Sequence, residues 1–404
     1  MPNAARFGDR ASAAGSSPVH VQRFTVAYEY PVYFTEDVFS PSNPVLREAI
    51  TRLEPHRRHR CLVFVDDGVC AVRPSLTTEI EAYAAAHNDA IELVISPVQV
   101  PGGEKIKNEL YFVESMQGLI QEHRIDRHSF VIVVGGGAVL DAAGLVAATS
   151  HRGVRLIRVP TTVLAQNDSG VGVKNAVNLK GYKNFVGTFA PPFAVINDLR
   201  FIDDLPAREK IAGMAEAVKV ALIRDREFFH WLEANIDPLS TFERSAMATM
   251  IRRCAELHMH QIAHGGDPFE TGSARPLDFG HWSAHKLESL TNNHVRHGEA
   301  VAIGIALDTR YSVLAGLLAP GADDRVAALL ELLGFKLWHP ALRARQGNRE
   351  LAILDGLREF REHLGGELTV TLLEDIGRGV EVHEMSEALV RESIDWLEAR
   401  QRML

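Results

Sequence analysis

A chain of 404 residues, 46% hydrophobic and 24% charged, has apolar material for a core and length enough for two domains. Its formal net charge of −9 argues against nucleic acid as a partner, since gripping a phosphate backbone takes a basic surface; a local basic pocket for a small phosphorylated ligand is still compatible with it. No run approaches the ~18 apolar residues of a bilayer span, so no membrane partner is expected.

Residues 1–20 are small and polar with no apolar core, which predicts a disordered tail and not a signal peptide. The three cysteines, Cys61, Cys70 and Cys254, fit neither a C-x-x-C pair nor a disulfide framework, and the expectation is a reducing cytoplasm. From residue 24 to 198, short β-rich runs alternate with helical stretches. Strands are predicted at CLVFVDDG (61–68), AIELVISP (90–97), SFVIVVGGG (129–137), GVRLIRVPTT (153–162) and FAVINDL (193–199), with helical patterns at 108–123 and 139–152 between them. That alternation implies a mainly parallel sheet with helices on its faces. Past Leu205-Pro206 the apolar spacing becomes helical almost throughout. The expected fold is a Rossmann-like α/β domain over 21–200 followed by a helical domain over 201–404.

Three groups of residues suit chemistry. Gly135-Gly136-Gly137 follows a strand and opens a helix, with Asp141 four residues after the second strand glycine's neighbour Gly137. Glycines at such a turn let a pyrophosphate approach the backbone at the positive end of the helix, although the spacing is not G-x-G-x-x-G. Asp66 at the end of an earlier strand suits ribose hydroxyls, and Pro101-Gly102-Gly103-Glu104 with Lys107 makes another Gly-rich charged loop. The second group, Asp168, Lys174, Lys183 and Asn184, falls in a Gly-dotted polar stretch that reads as loop and suits a phosphate with several hydroxyls. The third comprises His281, His285, His297, Glu216 and Lys219. Nitrogen and oxygen donors of this kind suit Zn²⁺ or a similar ion. Spacing nominates His281 and His285, at i and i+4, as joint ligands, but leaves open which two histidines bind.

Taken in order, GGGAVLDAAG, RGVRLIRVPTT, NDSGVGVKNAVN, GYKNFVGTF, GMAEAVKVALI, DFGHWSAH and HGEAVAIG resemble the 3-dehydroquinate synthase superfamily of sugar-phosphate cyclases over roughly residues 60–320. The wording is most similar to the Ebo-type subgroup. The resemblance implies a metal triad of Glu216, His281 and His297, in place of the i, i+4 pair, with Zn²⁺ or Co²⁺ as the ion. It implies an NAD site lined by Asp66, Glu104, Lys107, Gly135, Gly136, Asp141, Thr161 and Thr162. Lys174, Asn184 and His285 would hold substrate phosphate, joined by Arg152 from the other subunit of a homodimer. Asp168, Lys183 and Lys219 would face substrate hydroxyls, and Glu270 would act as a base through water. The implied enzyme is a phosphate-eliminating lyase that uses NAD transiently and closes a carbocycle by intramolecular aldol reaction.

Where the family binds a substrate carboxylate, this chain departs from the pattern. Asp278 replaces the asparagine three residues before His281, Ala274 takes the arginine position with Arg275 displaced by one, His258 aligns with a lysine, and His363 falls near another lysine. An aspartate repels a substrate carboxylate but accepts from a hydroxymethyl group. The expected substrate is therefore a neutral sugar phosphate such as sedoheptulose 7-phosphate. Two other readings are 3-dehydroquinate synthase proper, and a metal-dependent polyol or alcohol dehydrogenase, for which the phosphate-directed lysines would have no use. A non-catalytic scaffold is disfavoured by the complete metal-ligand set.

Overall fold

In the computed structural model the described residues are 19–270, 276–346, 350–363 and 368–403. Among them, seven parallel strands form one sheet: β1 (Val32–Thr35), β2 (His59–Asp66), β3 (Ile91–Leu93), β4 (Val98–Val100), β5 (Phe130–Gly135), β6 (Arg155–Pro160) and, last of this sheet in chain order, the strand Ala194–Asp198. An antiparallel hairpin, β7 (Lys174–Leu179) and β8 (Tyr182–Phe189), precedes that last strand, which is β9. The sheet order is β1-β9-β6-β5-β2-β3, with β4 pairing β2 beyond the end of β3. Every residue of β5 is buried, as its unbroken run of Val and Ile requires for a parallel strand covered on both faces.

The chain leaves β2 in one direction to form β3 and β4, then returns to the other side of β2 to form β5, β6 and β9. The carboxyl ends of β2 and β5 thus flank the point where strand order reverses, the place where open α/β sheets hold ligands. Asp66 ends β2 and Gly135 ends β5. Helix α1 (Gly137–Thr149) starts one residue beyond Gly136 and packs into the core over the sheet.

Beyond β9 the chain is mainly helical, as expected. Helices α2 (Ala207–Arg224), α3 (Arg244–His264), α4 (His281–Leu290) and α5 (His297–Leu314) pack into one apolar core that includes Trp282, Phe228 and Phe279. This half also holds two antiparallel ribbons, Arg345–Gln346 with Glu350–Leu351 and Val370–Asp375 with Arg378–Val382. Among the described residues no helix is long and apolar enough to cross a membrane. All three cysteines are free and buried.

From Lys174 onward the polar stretch read as loop is instead the β7–β8 hairpin, while Asp168 sits in the helical turn Ala165–Ser169 before it. The hairpin's two-residue turn, Lys180-Gly181, has φ of 49° and 87°, positive at both positions as a twist-matched hairpin turn demands. Loop-type residues hid the strand, because its asparagines are buried and paired. Asn175 Oδ1 accepts from Arg158 at 2.6 Å, and Asn178 donates to Glu104 at 3.0 Å and Asn108 at 2.7 Å.

Candidate active site

Glu216 lies in the middle of α2 and is almost fully buried. Two glycines let the neighbouring backbone close in on it. A Cβ on Gly298 would fall 1.9 Å from the Ala212 carbonyl oxygen, so the first turn of α5 presses directly on α2. A Cβ on Gly213 would fall 2.4 Å from Val163 Cβ, so α2 in turn lies against the sheet domain. His297, first residue of α5, and His281, first residue of α4, then approach the same carboxylate. Their Nε2 atoms lie 3.7 Å and 3.8 Å from Glu216 Oε1, and one donor atom from each of the three residues falls within 4.8 Å of the others.

The three residues fit a divalent transition ion. Bonds of about 2.0–2.2 Å in a tetrahedral shell place ligand atoms at about this separation. Glu216 Oε2 is ion-paired with the Lys219 ammonium, whereas Oε1 is buried and has no hydrogen-bond partner among the described residues. Such an orphaned acceptor is costly unless something cationic fills the space between it and the two imidazoles. The ring orientations agree. His281 Nδ1 lies 3.1 Å from the Phe279 carbonyl, and His297 Nδ1 lies 3.2 Å from Glu288 Oε2. The Nδ1 side of each ring is thereby engaged, and each Nε2 is left facing Glu216.

Electrostatics separate the three histidines. Burial, with Lys219 adding to it, pulls His281 well below the usual histidine range. Burial also pulls His285 down to about 4. For His297 burial works the same way, but Glu288 and Glu216 outweigh it and lift the ring to about 10. Burial works to raise Glu216 and is overcome by Lys219 and His297, which bring it to about 2. His285 belongs to a second group, with Glu288 and His297. The i, i+4 pair does share a helix face, with ring centroids 5.4 Å apart, yet the group around Glu216 takes His297 and not His285.

Polar side chains from both halves surround this centre. Asp168 pairs with His258 at 2.8 Å. Burial and Glu216 act to raise its carboxyl, but His258 and Lys219 prevail and hold it below the ordinary aspartate value. Lys174, at the start of β7, pairs with Glu270 at 2.6 Å. Burial acts to raise Asp278, but Lys174, then His281 and Lys219, hold it below its usual value. Lys183 reaches from β8 to Glu288 at 2.6 Å and to Glu104 at 3.9 Å.

A cavity of about 630 Å³ adjoins His297 and runs across the carboxyl ends of β2 and β5. Asp66, Glu104, Gly136, Thr161 and Thr162 line it, as do Gly102 and Gly137. It has the features of a dinucleotide cradle. Gly137 opens α1, and the N-terminus of a helix favours an anion; a Cβ there would come 2.7 Å from Ser169 Oγ. A Cβ on Gly102 would come 2.3 Å from Asp66 Oδ1. Thr161 Oγ1 is buried without a partner among the described residues. Burial raises Asp66 above the ordinary value even though Gly68 and Gly136 donate to it.

Other predicted cofactor residues do not reach the cavity wall. Lys107 is buried, pairs with Asp141 at 2.8 Å and donates to Asn184 Oδ1 at 2.5 Å. These three side chains form a strut beneath the hairpin. Gly135 lies under Asp66, whose Cβ a substituent would meet at 3.0 Å. Arg152 is exposed just past the far end of α1, roughly 20 Å from that helix's N-terminus at 1.5 Å per residue; it does not belong to this chain's own cluster. Arg275 lies outside the described residues, as does the side chain of His363, which ends the helix Asp355–His363.

Residues 97–212 match the 3-dehydroquinate synthase N-terminal family and residues 213–352 its C-terminal counterpart. A 3-dehydroquinate synthase from Halorhodospira halophila is 39% identical over 293 residues, covering 72% of this chain and 80% of that protein. One from Shewanella frigidimarina is 31% identical over 366 residues, covering 90% and 96%. The chain belongs to the 3-dehydroquinate synthase family. Among solved structures, a 2-epi-5-epi-valiolone synthase from Streptomyces hygroscopicus, with NAD⁺ and Zn²⁺ bound, superposes with a TM-score of 0.81 at 26% identity, covering 94% of this chain and 100% of that one. A 2-deoxy-scyllo-inosose synthase superposes with a TM-score of 0.72 at 24% identity over 90% of this chain and 95% of that one, and shows the shared fold.

Two residues important to the site of this 3-dehydroquinate synthase family member escape sequence reading. Glu288 is buried and bridges His297 to Lys183; in sequence it is one helical glutamate among many, flagged only by standing three residues after His285. Arg158 is completely buried in β6. Its guanidinium donates to the carbonyls of Gly170, Gly172 and Lys174 and to Asn175, fixing the path from Asp168 into the hairpin.

Proposed function

We propose that this chain is a metal- and NAD-dependent sugar-phosphate cyclase acting on a neutral substrate such as sedoheptulose 7-phosphate. The reaction is a transient oxidation, phosphate elimination, return of hydride and intramolecular aldol closure to a carbocycle. Asp278 carries the substrate preference: against burial, Lys174, His281 and Lys219 favour its charged form, and a substrate carboxylate beside that charge would meet repulsion, a hydroxymethyl group an acceptor.

Residues 21–200 would form the NAD-binding domain and 201–404 the metal- and substrate-binding domain. Glu216, His281 and His297 would hold Zn²⁺ or Co²⁺, and the cavity at Asp66, Glu104, Gly136, Thr161 and Thr162 would hold NAD. Bound there, NAD supplies a reversible hydride acceptor and the metal a Lewis acid. Lys174, Asn184 and His285, with Arg152 of the partner subunit in a homodimer, bind the phosphate and offset its charge as it leaves. Asp168, Lys183 and Lys219 orient hydroxyls. Glu270, ion-paired with Lys174, takes the proton next to the oxidised carbon through a water.

A second reading, 3-dehydroquinate synthase proper, draws on the names of both curated relatives. The purified protein with NAD⁺ and Zn²⁺ or Co²⁺ is incubated separately with sedoheptulose 7-phosphate and with the seven-carbon acid phosphate that 3-dehydroquinate synthase consumes. Phosphate release from the sugar phosphate is expected. Release only from the acid would replace this proposal with the second reading, and net NADH from a polyol without phosphate release would point to a dehydrogenase.

A further inference from the structure

Helix α5 contributes more to the metal centre than its first residue. His297 opens the helix and Asp308 lies eleven positions on. At 3.6 residues per turn, position i+11 returns to nearly the same face after about three turns. Asp308 is completely buried. Its Oδ1 accepts from the Trp282 indole Nε1 at 2.8 Å, and its Oδ2 accepts from the Gly280 backbone N–H at 3.1 Å. Those two donors are the residues on either side of His281.

The contact between the helices is equally close in the backbone. Gly280 adopts a left-handed φ of 77°, and a Cβ on Gly304 of α5 would lie 2.0 Å from its carbonyl oxygen. Trp282 is among the largest fully buried side chains, and a buried indole N–H needs an acceptor. A carboxylate is a costly acceptor in such a place. Burial drives Asp308 up to about 7, against the two hydrogen bonds. Apolar side chains would fill the same volume at less cost, so the arrangement calls for a reason beyond packing.

We propose that Asp308 is a positioning residue for the metal ligand His281. By holding Gly280 and Trp282, it fixes the rotation of the first turn of α4. That rotation keeps His281 Nδ1 on the Phe279 carbonyl and aims Nε2 at Glu216. Since α5 also bears His297, one helix sets the distance between the two imidazoles. The proposal rests on reading Glu216, His281 and His297 as a metal site.

The test uses full-length protein loaded with cobalt(II), with affinity read by chelator competition and geometry by the visible d–d bands. Asp308→Asn offers one acceptor to two donors and sets an amide N–H₂ against one of them. Trp282→Phe removes the indole bond and some core volume but leaves the Gly280 bond to Asp308 in place. Each is expected to weaken cobalt binding roughly 10–100-fold and to alter the bands, and the double variant should lose less than the two combined. Asp323→Asn is the control: it removes a buried carboxylate paired with Arg310 at 2.7 Å and should lower stability with affinity and bands intact. Unchanged affinity and bands in folded Asp308→Asn or Trp282→Phe would overturn the proposal; should Asp308→Asn fail to fold, Trp282→Phe decides. Wild-type protein that binds no cobalt, or Glu216→Ala that retains it, overturns the metal reading itself and is distinguished by needing no Asp308 variant.

Discussion

At the scale of single residues, Glu288 links the two kinds of chemistry in the site. One oxygen accepts from Lys183 at 2.6 Å and the other faces His297 Nδ1 at 3.2 Å. Burial acts against its charge, but His297 and Lys183 hold the carboxyl far below the usual range. Glu288→Gln keeps the shape and removes the charge, leaving one acceptor for Lys183 and His297 and setting an amide N–H₂ against one of them. Metal affinity should fall roughly 10–100-fold, as for other groups that hold a metal-bound imidazole in place. Chelator competition checks this, and affinity equal to wild type would show that His297 is oriented without Glu288. The sequence does list the histidines and carboxylates. It does not reveal that Glu288 turns inward, because one helical glutamate differs from another only in what packs beside it.

At the scale of elements, close helix contacts decide where the side chains meet. Gly304 allows α5 to touch the start of α4, and Gly298 allows it to touch α2. Gly304→Ala forces a methyl group against the Gly280 carbonyl, and overpacking of this kind costs about 1–3 kcal/mol. A denaturant titration should show that loss with an unchanged m-value, and wild-type stability would mean that the helices separate without penalty. The hairpin shows where local reading stops. Asn175, Asn178, Lys180 and Gly181 are turn-type residues, and they read as loop. Arg158 and Glu104, distant in sequence, pair with those asparagines and make a strand of them. The long helices and the buried strands were legible because their apolar periods arise from burial on one face or on two.

Across the whole molecule, the site is shared between the sheet domain and the helices, and Lys183–Glu288 is an ion pair between them. Stability depends on similar long-range pairs elsewhere. Glu54 is held at about 2, first by the hydrogen bond from Arg155 and then by Arg57. Its folded value lies below the ordinary 4.5, so its contribution is complete above about pH 4.5 and is lost as pH falls toward 2. Glu54→Gln should therefore melt below wild type at pH 7, and the gap should close over that window. Melting curves between pH 7 and pH 2 measure it, and a gap that stays constant would show that the Glu54 charge is not the cause.

Several properties of this protein follow from the sequence alone. Glycines at the end of a buried strand, strand–helix alternation giving way to helical spacing, and blocks such as HGEAVAIG in the right order establish the two-part fold and the 3-dehydroquinate synthase family. These signals are local, each carried by a few neighbouring residues. The tertiary structure decided the rest, because it concerns distance between residues remote in the chain. It brought His297 to Glu216 in the group that leaves His285 out, turned the polar stretch into a hairpin, took Lys107 and Asp141 off the cavity wall, and placed Asp308 behind His281. Periodicity records which face of an element is buried, but only packing records what lies against it.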